Sequence, residues 1–273
     1  MYQDYWGLRQ PPFRDGGPAH YLPTTVHEEA LARLQYLVDS RHRLGLLLGP
    51  PGSGKSLVLE VFAAQLRAAG CQVANVNLLG RDTHEALWHT AAGWGLNPDR
   101  AAPPLELWRL IGDRLIENRW QHLPTVALFD DADNASADVL GQVLRLAHCE
   151  PSPDTPLTVV LAASTDRLSY LGRRLLELAE LRIDLTPWDL VDTEQYVCRS
   201  LERAGRTAPT FGNDAVVRLH ELSQGVARRV ALLAELSLLA AAAGGLPLID
   251  AHTIEAVYDE LGVMDTLAVG QAF

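Results

Sequence analysis

Lysine is almost absent from this sequence of 273 residues, since arginine accounts for 22 of its 23 basic side chains. The single lysine, Lys55, lies in an octet that fits the pattern G-x-x-x-x-G-K-[ST] at every position. The octet consists of Gly49, Pro50, Pro51, Gly52, Ser53, Gly54, Lys55 and Ser56. A lysine ammonium is a compact charge that reaches between two phosphates, whereas the arginine guanidinium is a planar fork. The one retained lysine therefore indicates a phosphate-binding loop.

Cysteine is also scarce, and acidic charge outweighs basic charge. The three cysteines, Cys71, Cys149 and Cys198, lie far apart and form no C-x-x-C pair. We therefore expect reduced thiols, and neither a disulfide nor a zinc site. The formal net charge of −11 weighs against a broad nucleic-acid-binding surface, although a local arginine patch is compatible with it. DNA is therefore a disfavoured partner.

The sequence shows no sign of a targeting or membrane-spanning segment. Residues 1–6 lack the basic and apolar regions of a signal peptide, so we expect a cytoplasmic protein. The most apolar stretch, residues 230–249, is interrupted by Gly244, Gly245 and Pro247. It predicts a buried helix of about fourteen residues, which is too short to cross a bilayer.

The segments around the octet are those that a phosphate-binding loop requires. Apolar residues 44–48 predict a buried strand before it, and apolar residues at helical spacing predict a helix directly after it. Glycines let the loop turn its N–H groups toward an anion, and the helix adds the positive end of its dipole. We expect residues 49–56 and the following Leu57 to bind a nucleotide. Lys55 would lie between the β- and γ-phosphates, and the Ser56 hydroxyl would bind Mg²⁺.

Strands and helices alternate through the first two thirds of the chain, and only helices follow. The predicted strands are 44–48, 71–78, 124–131, 157–163 and 182–186. The predicted helices are 26–40, 56–67, 83–93, 104–119, 135–148 and 167–180, and then 190–205, 213–223, 226–243 and 251–261. Residues 1–25 are predicted to be irregular. This order predicts a parallel α/β sheet followed by a small helical domain that begins near Pro187.

Two acidic residues end the third predicted strand. Four apolar residues, 126–129, lead directly to Asp130 and Asp131. Because the carboxyl ends of parallel strands meet at one edge of a sheet, we expect Asp130 beside the loop, where it can hold Mg²⁺. Asp131 can then orient and deprotonate an attacking water, and Ser164, after the fourth strand, can contact the γ-phosphate. The alternatives are solvated acids at the end of a strand and an ordinary turn serine.

Short motifs along the chain carry a family resemblance. They are residues 5–8 (Tyr-Trp-Gly-Leu), Pro12-Phe13, 27–34, the Walker B segment 128–132, 185–188, Phe211, Ala215 and 223–228. Together with the Walker A octet, they resemble the AAA+ ATPases. More narrowly, they resemble the general secretion pathway protein A group of bacterial ATPases. The resemblance extends over residues 1–245, nearly the whole chain.

This resemblance implies an α/β fold in which a five-stranded parallel sheet, in the order 5-1-4-3-2, is followed by a C-terminal helical lid. It divides the chain into four parts. These are an N-terminal segment near the nucleotide (1–25), the α/β core (26–187), the lid (188–262) and a tail (263–273).

Roles for individual residues also follow from the resemblance. Arg228 would be sensor 2, which contacts the γ-phosphate, and Ser164 would be sensor 1. Phe13 and Tyr21 would either flank the adenine or anchor the N-terminal segment. A neighbouring subunit would receive an arginine finger, for which the candidates are Arg173, Arg174 and Arg182. The family further implies Mg-ATP as the substrate, a homo-oligomer, and an unidentified protein client.

Two positions depart from the family pattern. Asp131 stands where the family usually has glutamate, and Ser164 stands where asparagine or glutamine is common. Because a displacement of about 1 Å can cost a hundredfold in rate, we expect ATP binding with slow turnover. Our main hypothesis is an ATPase that drives movement of the lid in an oligomer. The alternative is a nucleotide-dependent assembly switch with little hydrolysis, associated with DNA as transposition regulators are.

Overall fold

The computed structural model describes residues 2–13, 17–149 and 157–269. The chain divides into two compact units. One unit is His27–Thr186, and the other combines Met1–Val26 with Pro187–Phe273. The first is called the α/β unit below, and the second the helical unit.

The α/β unit is built on one sheet of five parallel strands. The strands are β1 (Leu44–Gly49), β2 (Gln72–Asn77), β3 (Thr125–Asp130), β4 (Leu157–Ser164) and β5 (Leu181–Asp184). Their order, β2-β3-β4-β1-β5, confirms the predicted order 5-1-4-3-2. Every residue of β1, β3 and β4 is buried, which explains why these strands are continuous apolar runs in the sequence.

The register of the sheet brings the ends of four strands together. Gly49, the last residue of β1, pairs with Ser164, the last residue of β4. Asn77, the last residue of β2, pairs in the same way with Asp130, the last residue of β3. In open parallel sheets, ligands bind in the crevice outside this carboxyl edge. The predicted site residues of the strands therefore lie where the fold favours a ligand.

Eleven α-helices are present among the described residues, together with three short 3₁₀ segments. The α-helices are α1 (Tyr2–Trp6), α2 (Thr25–Asp39), α3 (Lys55–Ala68), α4 (Thr83–Gly93), α5 (Pro104–Trp120), α6 (Ala137–Ala147), α7 (Arg173–Leu178), α8 (Leu190–Arg203), α9 (Asn213–Ser223), α10 (Ala227–Gly244) and α11 (Ala251–Val269). The 3₁₀ segments are Gly17–His20, Ala132–Asn134 and Thr165–Leu171.

Two predictions of local structure were wrong. The helix predicted over residues 167–180 is a 3₁₀ segment and the separate helix α7, divided by Gly172, whose φ of 78° interrupts helical geometry. The segment predicted to be irregular contains α1, although five residues do not form a stable helix by themselves. Tertiary contacts of Trp6 stabilise α1, because the Trp6 side chain is buried and its Nε1 donates to the Leu238 carbonyl over 2.9 Å.

Other N-terminal residues also belong to the core of the helical unit. The Arg206 guanidinium lies 4.8 Å from the centre of the Trp6 ring and donates to the Trp6 carbonyl over 2.8 Å. The Phe13 ring is 5% exposed and lies 5.9 Å from the ring of Tyr196 and 6.3 Å from that of Phe211. Of the two interpretations of Phe13, this burial favours the anchoring role.

The apolar stretch of residues 230–249 forms most of α10. Its buried residues pack into the core of the helical unit, and the helix ends at Gly244, followed by Gly245, whose φ of 66° is typical of a helix C-cap. Within the residues that the structure describes, no helix combines the length and hydropathy that crossing a bilayer requires.

Two of the short motifs contact each other inside the helical unit. The Trp188 N–H donates to the Gly225 carbonyl over 2.9 Å. Gly225 has a φ of 67°, and a Cβ at this position would lie 2.2 Å from the Trp188 carbonyl oxygen. Both the backbone conformation and the close approach therefore require glycine here.

Substitution of this glycine tests the contact. We expect Gly225→Ala to lower the free energy of unfolding by at least about 3 kcal/mol, because it adds a backbone clash to the strain of a left-handed residue. Gly245→Ala is the matched control, since Gly245 has nearly the same φ and no atom within 4 Å of the added Cβ. The control should lose only about 1–2 kcal/mol. Urea denaturation of the full chain measures both losses, and equal losses would contradict the close packing.

Candidate functional site

The loop between β1 and α3 has the conformation of an anion-binding turn. Gly52 and Gly54 have φ values of 84° and 97°, in the left-handed region that favours glycine. The Ser53 N–H donates to the Pro50 carbonyl over 3.1 Å, which closes the turn. Gly54 is the N-cap of α3 and has no side chain that could pair with the first N–H groups of the helix. These N–H groups and the helix dipole favour an anion at this point.

The side chain of Lys55 folds back along the same loop. Its Nζ donates to the carbonyl of Gly49 over 2.9 Å and to that of Pro50 over 3.2 Å. The ammonium group is therefore held at the loop by backbone oxygens, beside the turn that its sequence position predicts. Both of these contacts are to neutral backbone acceptors.

Ser56 and Asp130 bring a hydroxyl and a carboxyl group together next to the loop. Asp130 is 6% exposed, and the nearby Ser56 hydroxyl lowers the pKa of its carboxyl. Burial is the main cause that raises the pKa of the Asp130 carboxyl, and the charge of Asp131 raises it further. The Ser56 hydroxyl, the Asp131 N–H and the charge of Lys55 act in the opposite direction. A hydroxyl and a buried carboxylate are ligands of the type that Mg²⁺ prefers, so these residues fit the implied metal.

Asp131 is held by a residue that the sequence analysis did not identify. Its backbone has a φ of 52°, and its N–H donates to Asp130 Oδ1 over 2.9 Å. Asn77 Nδ2 donates to Asp131 Oδ2 over 2.8 Å, while Asn77 Oδ1 accepts the Leu79 N–H over 2.8 Å. The amide of Asn77 is thus fixed at one end and holds the carboxylate at the other. The only signal in the sequence was a polar residue at the end of a predicted strand.

Ser164 is connected to the segment that follows Asp131. The Ser164 N–H donates to Asp133 Oδ1 over 3.2 Å, and both residues are buried. Arg167 Nε lies 3.8 Å from Asp133 Oδ2, and Arg167 also donates to the Asn134 side chain. Asp133 and Arg167 therefore fix the backbone at the end of β4, a role that sequence reasoning missed.

The three candidate finger arginines have different surroundings. The Arg173 side chain is 89% exposed and pairs with Glu177 over 2.6 Å. Arg174 lines a cleft of about 610 Å³ between α6 and α7. Arg182 lies in β5 and forms a bidentate pair with Asp184 at 2.8–3.0 Å. Arg228 belongs to the helical unit, where its exposed side chain lies in the first turn of α10.

Comparisons with known proteins agree with this geometry. The profile of the family described as AAA domain matches residues 21–171. The general secretion pathway protein A of Aeromonas hydrophila is 31% identical over 273 aligned residues, which cover 97% of this chain and 49% of that protein. The narrower resemblance is therefore confirmed, and the chain spans about half the length of this curated relative.

Solved structures show the same fold at low sequence identity. The Aeropyrum pernix ORC2 protein in ADPNP-ADP complexes has a TM-score of 0.66 and 16% identity, over 92% of this chain and 72% of that chain. The Aeropyrum pernix ORC1 protein in complex with DNA has a TM-score of 0.65 and 18% identity, over 92% and 68%. The Thermotoga maritima RuvB Holliday junction branch migration motor has a TM-score of 0.61 and 13% identity, over 92% and 73%.

Proposed function

Because the chain belongs to the AAA domain family, we propose that it binds Mg-ATP at residues 49–56 and hydrolyses it. The free energy of binding and hydrolysis would move the helical unit as a lid, within a homo-oligomer that acts on a macromolecular client. The observation that carries this proposal is the arrangement at the carboxyl edge of the sheet. There, a left-handed glycine loop opens into α3, beside Lys55 and the Ser56–Asp130 pair.

The residues of the loop would bind the phosphates before any chemistry occurs. The N–H groups of the loop and of the first turn of α3 donate to phosphate oxygens, and Lys55 exchanges its backbone acceptors for the β- and γ-phosphates. Ser56 and Asp130 would hold Mg²⁺. When bound, Mg²⁺ neutralises negative charge on the β- and γ-phosphate oxygens.

Hydrolysis would then depend on the acids and polar groups at the edge of the sheet. Asp131 accepts a proton from the attacking water, the water oxygen bonds to the γ-phosphorus, and the bond to the bridging oxygen breaks to leave ADP and phosphate. Ser164 orients the water, while Lys55, Arg228 and an arginine of a neighbouring subunit stabilise the developing charge. The hydrogen bond from Asn77 holds the Asp131 carboxylate, so Asn77 limits the positions that the base can take.

The topology favours two of the three finger candidates. Arg173 and Arg174 open α7, which follows the 3₁₀ segment that leaves the carboxyl edge after β4. Arg182 instead pairs in register with Leu46 in the middle of β1. A neighbour's phosphate would be reached more directly from the start of α7.

The comparisons support the proposed use of ATP more than they support a role in any particular cellular pathway. The curated relative is named for general secretion, but this chain covers 49% of it, so its client is not transferred. One of the similar proteins is in complex with DNA, and another is a Holliday junction branch migration motor. The net charge of −11 disfavours a DNA-associated switch, because proteins bind DNA largely through positive charges that neutralise its phosphates. Use of ATP is consistent with the cytoplasmic location that the sequence predicts.

Removal of the lysine tests the binding site. We expect Lys55→Ala to weaken ATP binding at least about a hundredfold, because it removes the side-chain charge aimed at the phosphates. Arg33→Ala is the control, since Arg33 is an exposed basic residue of the same unit whose partner is Glu29. Isothermal titration with Mg-ATP measures both affinities. An unchanged affinity in Lys55→Ala would refute the assignment of the site.

The base is tested separately from binding. We expect Asp131→Asn to slow phosphate release about a hundredfold or more, because the amide cannot accept the proton, while ATP affinity changes little. Asp113→Asn, on the exposed side of α5, should leave the rate unchanged. Rates are compared with and without duplex DNA. A wild-type rate that appears only with DNA would favour the DNA-associated switch, and a rate indifferent to Asp131→Asn would exclude this base.

Mixing of subunits tests the arginine finger. A Lys55→Ala subunit keeps its arginines, and an Arg173→Ala or Arg174→Ala subunit keeps its nucleotide site. If one of these arginines acts on a neighbour, mixing the two inactive variants should restore part of the ATPase activity, because some interfaces join an intact site to an intact finger. Arg182→Ala alone should retain most activity. Full activity of both the Arg173→Ala and the Arg174→Ala variant would show that neither residue is the arginine finger.

A further inference from the structure

A buried histidine lies directly against the phosphate-binding loop. His27, in the first turn of α2 and at the start of the motif 27–34, is 2% exposed. Its Nε2 lies 2.9 Å from the carbonyl oxygen of Ser53. The contact joins two segments that are 26 residues apart in the sequence.

The geometry fixes which group donates. A carbonyl oxygen can only accept a hydrogen bond, so Nε2 of His27 carries the hydrogen and donates it to Ser53. In a trans peptide, the C=O and N–H groups of one plane point in opposite directions. The carbonyl of Ser53 and the N–H of Gly54 belong to the same plane. Because His27 holds the carbonyl, it also holds the Gly54 N–H turned away from α2.

The His27 ring lies so close to Gly54 that it leaves no room for a side chain there. A Cβ at Gly54 would lie 2.8 Å from His27 Nε2, and the φ of Gly54 is 97°. The ring therefore occupies the space that any other residue at position 54 would need. A glycine beside a peptide plane also makes rotation of that plane inexpensive, so the loop depends on an outside contact to keep one orientation.

We propose that His27 is a positioning residue that locks the Ser53–Gly54 peptide with its N–H on the phosphate side of the loop. This role rests on the proposed binding of Mg-ATP at residues 49–56. Without the donor, the peptide samples the flipped orientation, in which a carbonyl oxygen faces the phosphate instead of an N–H group. Such a flip removes one attraction and adds one repulsion, so it weakens the binding of ATP and ADP alike.

Three variants separate the hydrogen bond from the shape of the ring. His27→Phe keeps an aromatic ring and loses the donor, while His27→Gln places an amide donor at a similar reach. His84→Phe is the matched control, because Nε2 of His84 also contacts a backbone carbonyl, that of Ala102, over 3.0 Å. That contact lies between α4 and the loop before α5, away from the phosphate-binding turn.

We expect His27→Phe to raise the Kd for ATP and ADP about tenfold or more, and His27→Gln to stay within about threefold of the wild type. KM for ATP should rise in the same proportion, while kcat at saturating ATP stays within about threefold, because the reacting groups are untouched. His84→Phe should bind ATP like the wild type. Unchanged affinity in His27→Phe, or equal weakening in His27→Gln and His27→Phe, overturns the proposal.

A measurement on the unaltered protein complements the variants. Long-range ¹H–¹⁵N spectra of the imidazole rings report which nitrogen of His27 carries the hydrogen. Hydrogen on Nε2 is the expected result, and a neutral ring with hydrogen only on Nδ1 overturns the proposal even if a variant fails to fold. If the wild type itself binds no nucleotide, the proposed function fails, and this outcome is distinct from a failure of the role of His27.

Discussion

The parallel register of the central sheet is the constraint on which the candidate site depends. Gly49 pairs with Ser164 and Asn77 pairs with Asp130, so four strands end at one edge. A slip by one residue in any strand would turn its terminal side chain to the other face of the sheet. The complete burial of β1, β3 and β4 makes such a slip expensive, because it would require the whole core to repack. The precision of the site thus comes from apolar packing at some distance from it.

The charged groups at this edge of the sheet influence one another. Burial opposes ionisation of Asp130, and Lys55 and the Ser56 hydroxyl offset only part of that cost. The Lys55 ammonium is held by neutral carbonyl oxygens. In the proposed function, Mg²⁺ would lie against the Asp130 carboxylate and the phosphate chain against the Lys55 ammonium, so each bound group would meet a charge of opposite sign.

The sequence predicted the fold well where the signal is local. The five strands and the loop depend on apolar runs and glycines that are contiguous, and the predicted positions agree with the structure within a few residues. The order of the strands is not a local property and came from the family resemblance. The helix α1 and the break at Gly172 were missed because tertiary contacts and one backbone conformation decide them.

The candidate site residues also differ in whether a local sequence signal identifies them. The octet and the acids that end β3 are visible as continuous motifs. The roles of Asn77, Asp133 and His27 are not visible in this way, because these residues contact others that lie 54, 31 and 26 positions away in the chain, respectively. A polar residue at a strand end, or a histidine in an otherwise amphipathic helix, has many ordinary explanations in a sequence. Only the spatial pairing distinguishes a residue that orients a loop or a carboxylate from one that is merely exposed.

The aspartate at position 131 is better explained by its backbone than as a defect. A left-handed conformation costs most residues about 1–2 kcal/mol, and aspartate and asparagine adopt it more readily than glutamate does. Asp131 has a φ of 52°. In this conformation, its N–H donates a hydrogen bond to Asp130, and its carboxylate accepts a hydrogen bond from the Asn77 amide. Aspartate is one methylene group shorter than glutamate, so the exchange shortens the reach of the carboxylate. In the proposed mechanism, the left-handed turn would offset part of this loss by redirecting the shorter side chain, and the Asn77 amide would limit how far the carboxylate moves.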